Sequence, residues 1–325
     1  MNFKKTLIAL LMTGLTATAS AAVSPCPLSY AADTPAEQDD SCLYVSTADG
    51  ALTVVPVAYI ERQSQPSEGR LTLNLINGKR LSFKDVTIDG TYSKKDRSGY
   101  GILMNNIWNH TVDNLVGKGN WGIYGTNNVN TVLIKNSDIN RFDIHCYGRD
   151  IRFENTIFRN LYNQFSSVFG VISFSSCRFI DFTPVLIEYS YNTYTPYNLI
   201  LKNCVWDVTP LHYYMVYAGF VDDSENTRPE LVEKCWPDVR IDGLKVNVSK
   251  GVPDVYMFFP RGTVSKTCRI SHISKININN LKMSCDDAGS ETAFKLTPVD
   301  IPVKNDVVIQ ERRSNVKLKS TFVKR

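Results

Sequence analysis

Arg141, Asp143, His145 and Tyr147 occupy alternate positions of the run RFDIHCYGRD, residues 141–150. Alternate side chains of an extended strand share a face. The spacing therefore predicts that these four project together while Phe142, Ile144 and Cys146 turn inward. The residue types suit proton abstraction beside a carboxylate. A histidine accepts a proton near neutral pH. An arginine neutralises a carboxylate through a two-pronged contact, and an adjacent aspartate orients the imidazole or binds a cation. These are the parts needed to remove the C5 proton of a uronic acid. On this reading His145 is the base, Arg141 or Arg149 meets the substrate carboxylate, and Asp143 supports His145.

The elements that must hold such a group are visible as a repeat. The pattern apolar–x–apolar–x–x–(apolar or small)–x–apolar begins at Leu81, Val132, Ile151, Ile172, Leu199, Val239 and Ile276, with a weaker copy at His110. The central starts (Val132, Ile151, Ile172, Leu199) lie 19, 21 and 27 residues apart. Short alternating strands at that period imply stacked coils. The expected fold is all-β, a single-stranded right-handed parallel β-helix of about eight or more coils. A β-sandwich also has many short strands, but it would not align them on one template at coil-length spacing. Stacking at ~4.8 Å pairs each strand with those above and below and lines equivalent residues into ladders. The first runs through Leu81, Val132, Ile151, Ile172, Leu199, Val239 and Ile276. The second holds Phe83, Val112, Ile134, Phe153, Phe174, Leu201, Ile241 and Ile278. The third holds Val86, Leu115, Ser137, Thr156, Cys177, Cys204, Leu244 and Leu281. The fourth includes Phe158, Phe179, Trp206 and Met283. Asn and Gly gather between strands, where turns need unusual backbone angles.

A second strand is expected in each coil, through 99–106, 120–128, 141–150, 162–170, 184–192 and 212–219. Its outward positions would carry the site. Trp121 and Tyr124 come one coil before Arg141, Tyr162 and Gln164 one coil after, and Glu188 one coil further. With Tyr147 these are the candidate substrate-binding residues. Tyrosines also crowd 189–197 and 213–217, and of Tyr213 and Tyr214 only one is expected to face out. Aromatic rings stack on pyranose faces while amides hydrogen-bond hydroxyls. Asp143 and Glu188, two coil steps or ~9–10 Å apart, also match the wider carboxylate spacing of an inverting glycosidase. Asp222-Asp223 and Asp286-Asp287 lack the Asn-x-Asp, Gly-His-Gly or Arg-x-Lys partners that such acids would need. The chain has four histidines, without metal-ligand spacing. It also lacks a phosphate loop and a nucleophile elbow. No cofactor or metal is expected, and nothing in the spacing indicates calcium.

At Asp143-Ile144-His145 the chain resembles two β-helix groups. Alginate C5-epimerases carry Asp-Pro-His-Asp on a β-helix strand, with the histidine as base. Phage appendage proteins with glycan-degrading β-helices often read Arg-x-Asp-Ala-His-x-Gly, beside Arg141-Phe142-Asp143-Ile144-His145-Cys146-Tyr147-Gly148 here. Ile144 and Cys146 stand where the epimerases have Pro and the second Asp. The match covers about ten residues plus the coil pattern over 81–285. It implies a pectate-lyase-like fold and an acidic polysaccharide as substrate for a lyase, C5-epimerase or hydrolase. The alternative is a non-catalytic glycan-binding or envelope-structural β-helix.

Residues 1–21 read as a secretory signal: Lys4 and Lys5, an apolar run from Leu7 to Leu15, and Ala19-Ser20-Ala21 as the cleavage site. The run is too short to span a membrane. The style is that of a Gram-negative bacterium, so a periplasmic or secreted protein is expected. Residues 22–50 read as an N-terminal segment and cap, 51–293 as the β-helix and 294–325 as a basic tail or cap. Lys+Arg 36 against Asp+Glu 32 gives +4; without Lys4 and Lys5 the remainder is +2. Neither a general polyanion affinity nor nucleic-acid binding follows from so small a charge. Eight cysteines in an exported chain suggest disulfides. Cys177 and Cys204 share a template position in successive coils, which fits either a disulfide or a stacked pair of buried thiols. Cys146 is expected to be a free inward thiol.

Overall fold

The computed structural model describes residues 23–25, 42–46, 52–56, 60–62, 73–89, 102–118, 123–144, 147–165, 168–187, 197–219, 234–235, 237–261, 270–271, 275–286, 292–298, 301–303, 308–316 and 322–324. The described part is 77% strand and has no helix. Its main body is a parallel β-helix with three strands to a coil. The first sheet contains Leu73–Asp89, Ile102–Lys118, Val129–Lys135, Gly148–Glu154, Val168–Ser175, Tyr197–Val208, Asp238–Val248, Lys275–Cys285 and Val308–Arg312. These strands pair in parallel, each with the strand one coil on. A short second sheet includes Asp138–Ile139, Ile157–Arg159 and Arg178–Ile180, and the later long strands bend into it. The third sheet is Ile123–Asn127, Arg141–Ile144, Tyr162–Phe165, Thr183–Ile187, Tyr214–Gly219, Asp254–Arg261 and Ala293–Lys295.

The expected ladders are present residue by residue. Leu81 is in register with His110, then Val132, Ile151, Ile172, Leu199, Val239, Ile276 and Ile309. Phe153 stacks on Phe174 at 4.9 Å and 9°, and Phe158 on Phe179 at 5.2 Å and 13°. Rings of the two ladders meet edge-on, Phe174 against Phe179 at 5.1 Å and 77°. Trp206 is fully buried and donates its indole N–H to the Phe182 carbonyl at 3.0 Å, so the largest core side chain leaves no stranded donor.

From the His110 coil onward the turn from the first sheet passes through one residue at positive φ: Asn114, Asn136, Asn155, Ser176, Asn203, Gly243, Asn280 and Arg313. Asparagine tolerates the left-handed region better than other side chains, which explains its recurrence. Gly243, at φ 89°, is required for a second reason. A Cβ there would lie 2.7 Å from Asn203 Oδ1 in the coil before.

Cys177 and Cys204 are buried free thiols. Cys177 Sγ donates to the carbonyls of Phe153 and Ser175, and Cys204 Sγ to those of Phe174 and Lys202, all at 3.4 Å. Burial pushes the Cys177 thiol well up. Of the two readings of this pair, the structure has the stacked thiols. Cys146 lies outside the described residues. Among the described residues no helix is long and apolar enough to cross a membrane.

Candidate functional site on the outer face of the third sheet

Arg141 and Asp143 leave the strand Arg141–Ile144 on the side opposite Phe142 and Ile144, which are core residues. This parity is the one the sequence predicts. Their burial is not: Arg141 is 7% exposed and Asp143 0%. Arg141 Nε donates to Asp143 Oδ1 at 2.7 Å, Nη2 to Gln164 Oε1 at 2.7 Å and Nη1 to the Tyr162 hydroxyl at 3.1 Å. Its guanidinium carbon also lies 4.5 Å from the Tyr162 ring centroid. Register explains the grouping, because Asp143 pairs with Gln164 one coil on and this places Tyr162 beside Arg141. All three guanidinium nitrogens of Arg141 are thus engaged within the protein. The expected exposed placement of Arg141 is corrected: its guanidinium is buried and clamps its own coil neighbours.

Two other placements are corrected. Tyr124 is in register with Phe142 and therefore points into the core, 0% exposed and stacked on Phe142 at 5.7 Å. Its hydroxyl is hydrogen-bonded with His110 Nδ1 at 3.0 Å and reaches Met104 Sδ at 3.6 Å. Burial raises its pKa well above the phenol value. Tyr147 does not continue the strand. It sits at the corner between the third and first sheets with φ 27° and is 52% exposed. Arg149, exposed, belongs to the next strand, Gly148–Glu154, on the first sheet. The expected set is therefore split, with Arg141, Asp143, Tyr162 and Gln164 on one face and Tyr147 and Arg149 around the corner. His145, Trp121 and Glu188 lie outside the described residues, as do Asp222, Asp223 and Asp287.

Following the same column along the helix, Gln164 pairs with Leu186, Leu186 with Tyr217, and Tyr217 with Phe259. Tyr162 pairs with Thr183. Thr183 Oγ1 is hydrogen-bonded with His212 Nδ1 at 2.9 Å. Burial lowers the His212 pKa, while Asp181 opposes the shift, so its imidazole is neutral at neutral pH. Beyond it five half-buried rings come together: Tyr213, Tyr214, Tyr217, Tyr256 and Phe259. Tyr214 lies 4.7 Å from Tyr217 and 5.1 Å from Phe259, and Tyr213 lies 5.2 Å from Tyr214 and 5.7 Å from Phe259. Both Tyr213 and Tyr214 belong to the cluster, where the sequence allowed only one outside. Burial pushes the Tyr214 phenol up to about 12, so it remains a hydrogen-bond donor at any physiological pH. Asp254, hydrogen-bonded by Tyr256 and ion-paired with Lys295 at 2.5 Å, borders the rings. The run DVYMFFPR at 254–261 is the part sequence reasoning missed. Its signal is the pair Tyr256 and Phe259 immediately flanking the buried Met257 and Phe258.

Among the described residues no group of three or more His, Cys, Asp or Glu side chains forms a metal-binding cluster. No family model, curated protein or solved structure matches this chain.

Proposed function

We propose that this is an exported β-helix protein that binds a glycan along the outer face of its third sheet. The observation that carries the proposal is the five-ring cluster Tyr213, Tyr214, Tyr217, Tyr256 and Phe259, bordered by Thr183, His212, Asp254 and Lys295. Rings of this kind stack on the apolar faces of pyranoses, while phenol, hydroxyl and imidazole groups exchange hydrogen bonds with sugar hydroxyls. Export rests on the signal-like residues 1–21. The test is native electrophoresis of the mature protein through gels containing a panel of polysaccharides. Retardation by at least one polymer is expected, together with its loss in Phe259→Ala and Tyr217→Ala. Retardation by every binding polymer that survives both substitutions defeats the assignment of the face.

A catalytic reading, as a lyase, C5-epimerase or hydrolase of an acidic polysaccharide, is favoured by one observation. The buried Arg141–Asp143 pair with Tyr162 and Gln164 ends two residues before His145. A buried ion pair is a weak source of stability, and its use as a rigid support for an adjacent base is a functional reason to keep it. His145 would take the C5 proton. The discriminating experiment measures unsaturated or epimerised products from uronic-acid polymers. His145→Ala should lower turnover ~10²–10⁴-fold with binding retained.

A further inference from the structure

The corner between the third and first sheets carries a second set of exposed groups. In three successive coils two outward residues precede the residue of the first ladder: Trp108-Asn109 before His110, Asn130-Thr131 before Val132, and Arg149-Asp150 before Ile151. Asn109 pairs with Thr131 and Thr131 with Asp150. Trp108, Asn130 and Arg149 therefore follow one another up the corner, the outer two separated by two coil steps, roughly 10 Å. Trp108 is 57% exposed, which makes it one of the few large apolar side chains displayed to solvent among the described residues. A lone exposed ring needs no explanation, but Trp108 shares this corner with a second exposed ring, Tyr147. Between the outer two residues, Asn130 Nδ2 donates to Asn109 Oδ1 and Thr131 Oγ1 at 3.4 and 3.3 Å, and Thr131 hydrogen-bonds Asn109, giving a fixed polar floor.

Two features set the far end. Tyr147 has φ 27° and is 52% exposed. The equivalent corner residue one coil earlier is Asn128, at φ 54°, because Val129 pairs with Gly148. Positive φ is tolerable for asparagine and costly for a ring-bearing residue, so the corner holds an aromatic where the backbone favours an amide. Arg149 lies against Gly170 of the next coil. A Cβ on Gly170 would meet the Arg149 carbonyl oxygen at 2.5 Å and Arg149 Cγ at 3.4 Å. The missing side chain lets the arginine stem lie flat across the strand above. The neighbouring Arg152 is held by Asp150 through bonds of 2.9 and 2.6 Å. Arg149 makes no ion pair with any described residue.

We infer that the corner formed by Trp108, Asn130, Tyr147 and Arg149 is a binding site for a carboxylate-bearing glycan. Trp108 and Tyr147 supply ring faces for sugar units, the Asn109–Asn130–Thr131 floor meets hydroxyls, and Arg149 takes the uronate carboxylate as a charge-assisted pair. The inference shares with the proposal above only the glycan nature of the ligand, and the two sites use no common residue.

The test uses the mature protein with polygalacturonate and, as an uncharged probe, dextran, in binding isotherms at low and high salt. Polygalacturonate should bind, and more weakly as salt rises. Trp108→Ala and Arg149→Gln should each weaken it about tenfold or more, equivalent to ~1.4 kcal/mol. Arg149→Gln should also flatten the salt dependence, with Arg149→Lys recovering part of the affinity. Both residues are exposed, so unchanged thermal unfolding of the variants is expected. Phe259→Ala should leave polygalacturonate binding intact. Wild-type affinity in Trp108→Ala and Arg149→Gln overturns this site. So does loss confined to Phe259→Ala, which would leave the outer-face proposal standing. Salt-independent binding of both probes overturns the carboxylate assignment. Absence of binding to any glycan overturns both proposals.

Discussion

Phe174→Ala should destabilise the protein by ~4 kcal/mol, the middle of the range for phenylalanine truncations in cores. The side chain is fully buried. It stacks on Phe153 at 4.9 Å and meets Phe158 and Phe179 edge-on at 5.7 and 5.1 Å. Transfer of the lost ring out of water accounts for ~2 kcal/mol. The other part comes from a cavity. Neighbouring rings are pinned by their own coils, so the space collapses only partly, and a residual ~80 Å³ at ~24 cal/mol per Å³ costs about another 2 kcal/mol. The loss also removes one stacked and two edge-on ring pairs, which keeps the figure from falling to the low end. The assay is equilibrium urea unfolding followed by near-UV circular dichroism, comparing midpoints at equal slope. A shift corresponding to under 1 kcal/mol with unchanged slope would refute the reasoning, because it would mean that Phe174 is not enclosed between two coils.

Gly243→Ala should cost ~1–2 kcal/mol, since an L-residue at φ 89° is strained and its Cβ would press on Asn203 Oδ1; urea midpoints measure it. Arg141→Ala should cost ~3–5 kcal/mol by removing the cation bonded to the buried Asp143 carboxylate, whereas the double change Arg141→Met/Asp143→Leu should recover most of the loss in the same assay. His212 has its folded pKa lowered by burial, so the unfolded chain binds the proton more readily. The stability it contributes is present above the unfolded value of ~6.5 and is lost as pH falls through the folded pKa. Thermal midpoints should therefore fall below that pH, and His212→Asn should flatten the fall.

The ladders were legible because a coil must repeat its inward residues at fixed positions, and Phe153, Phe174 and Leu201 follow the template with no exception. The third sheet was harder to read. Its strands are short and their lengths vary, so alternation could not be anchored. Tyr124 therefore went to the wrong face, although its pairing with Phe142 makes it core. The Arg141–Asp143–Gln164 grouping was readable from parity, but its burial was not, since depth depends on what the rest of the fold lays over a strand. Tyr147 was misplaced because it lies outside a strand at positive φ, and a positive-φ tyrosine has no sequence signature. Trp108 was visible as the residue two before the His110 repeat. Its exposure depends on the two-residue outward step at the corner, which only the register reveals.

The central claim is that glycan contacts the outer face of the third sheet around the aromatic cluster. Hydrogen exchange of the mature protein, with and without saturating oligosaccharide from the retarding polymer, tests it most directly. The account predicts slowed exchange in peptides covering Tyr214–Gly219 and Asp254–Arg261, with that protection abolished in Phe259→Ala. Binding accompanied by protection elsewhere, with both of these strands unchanged, would contradict it.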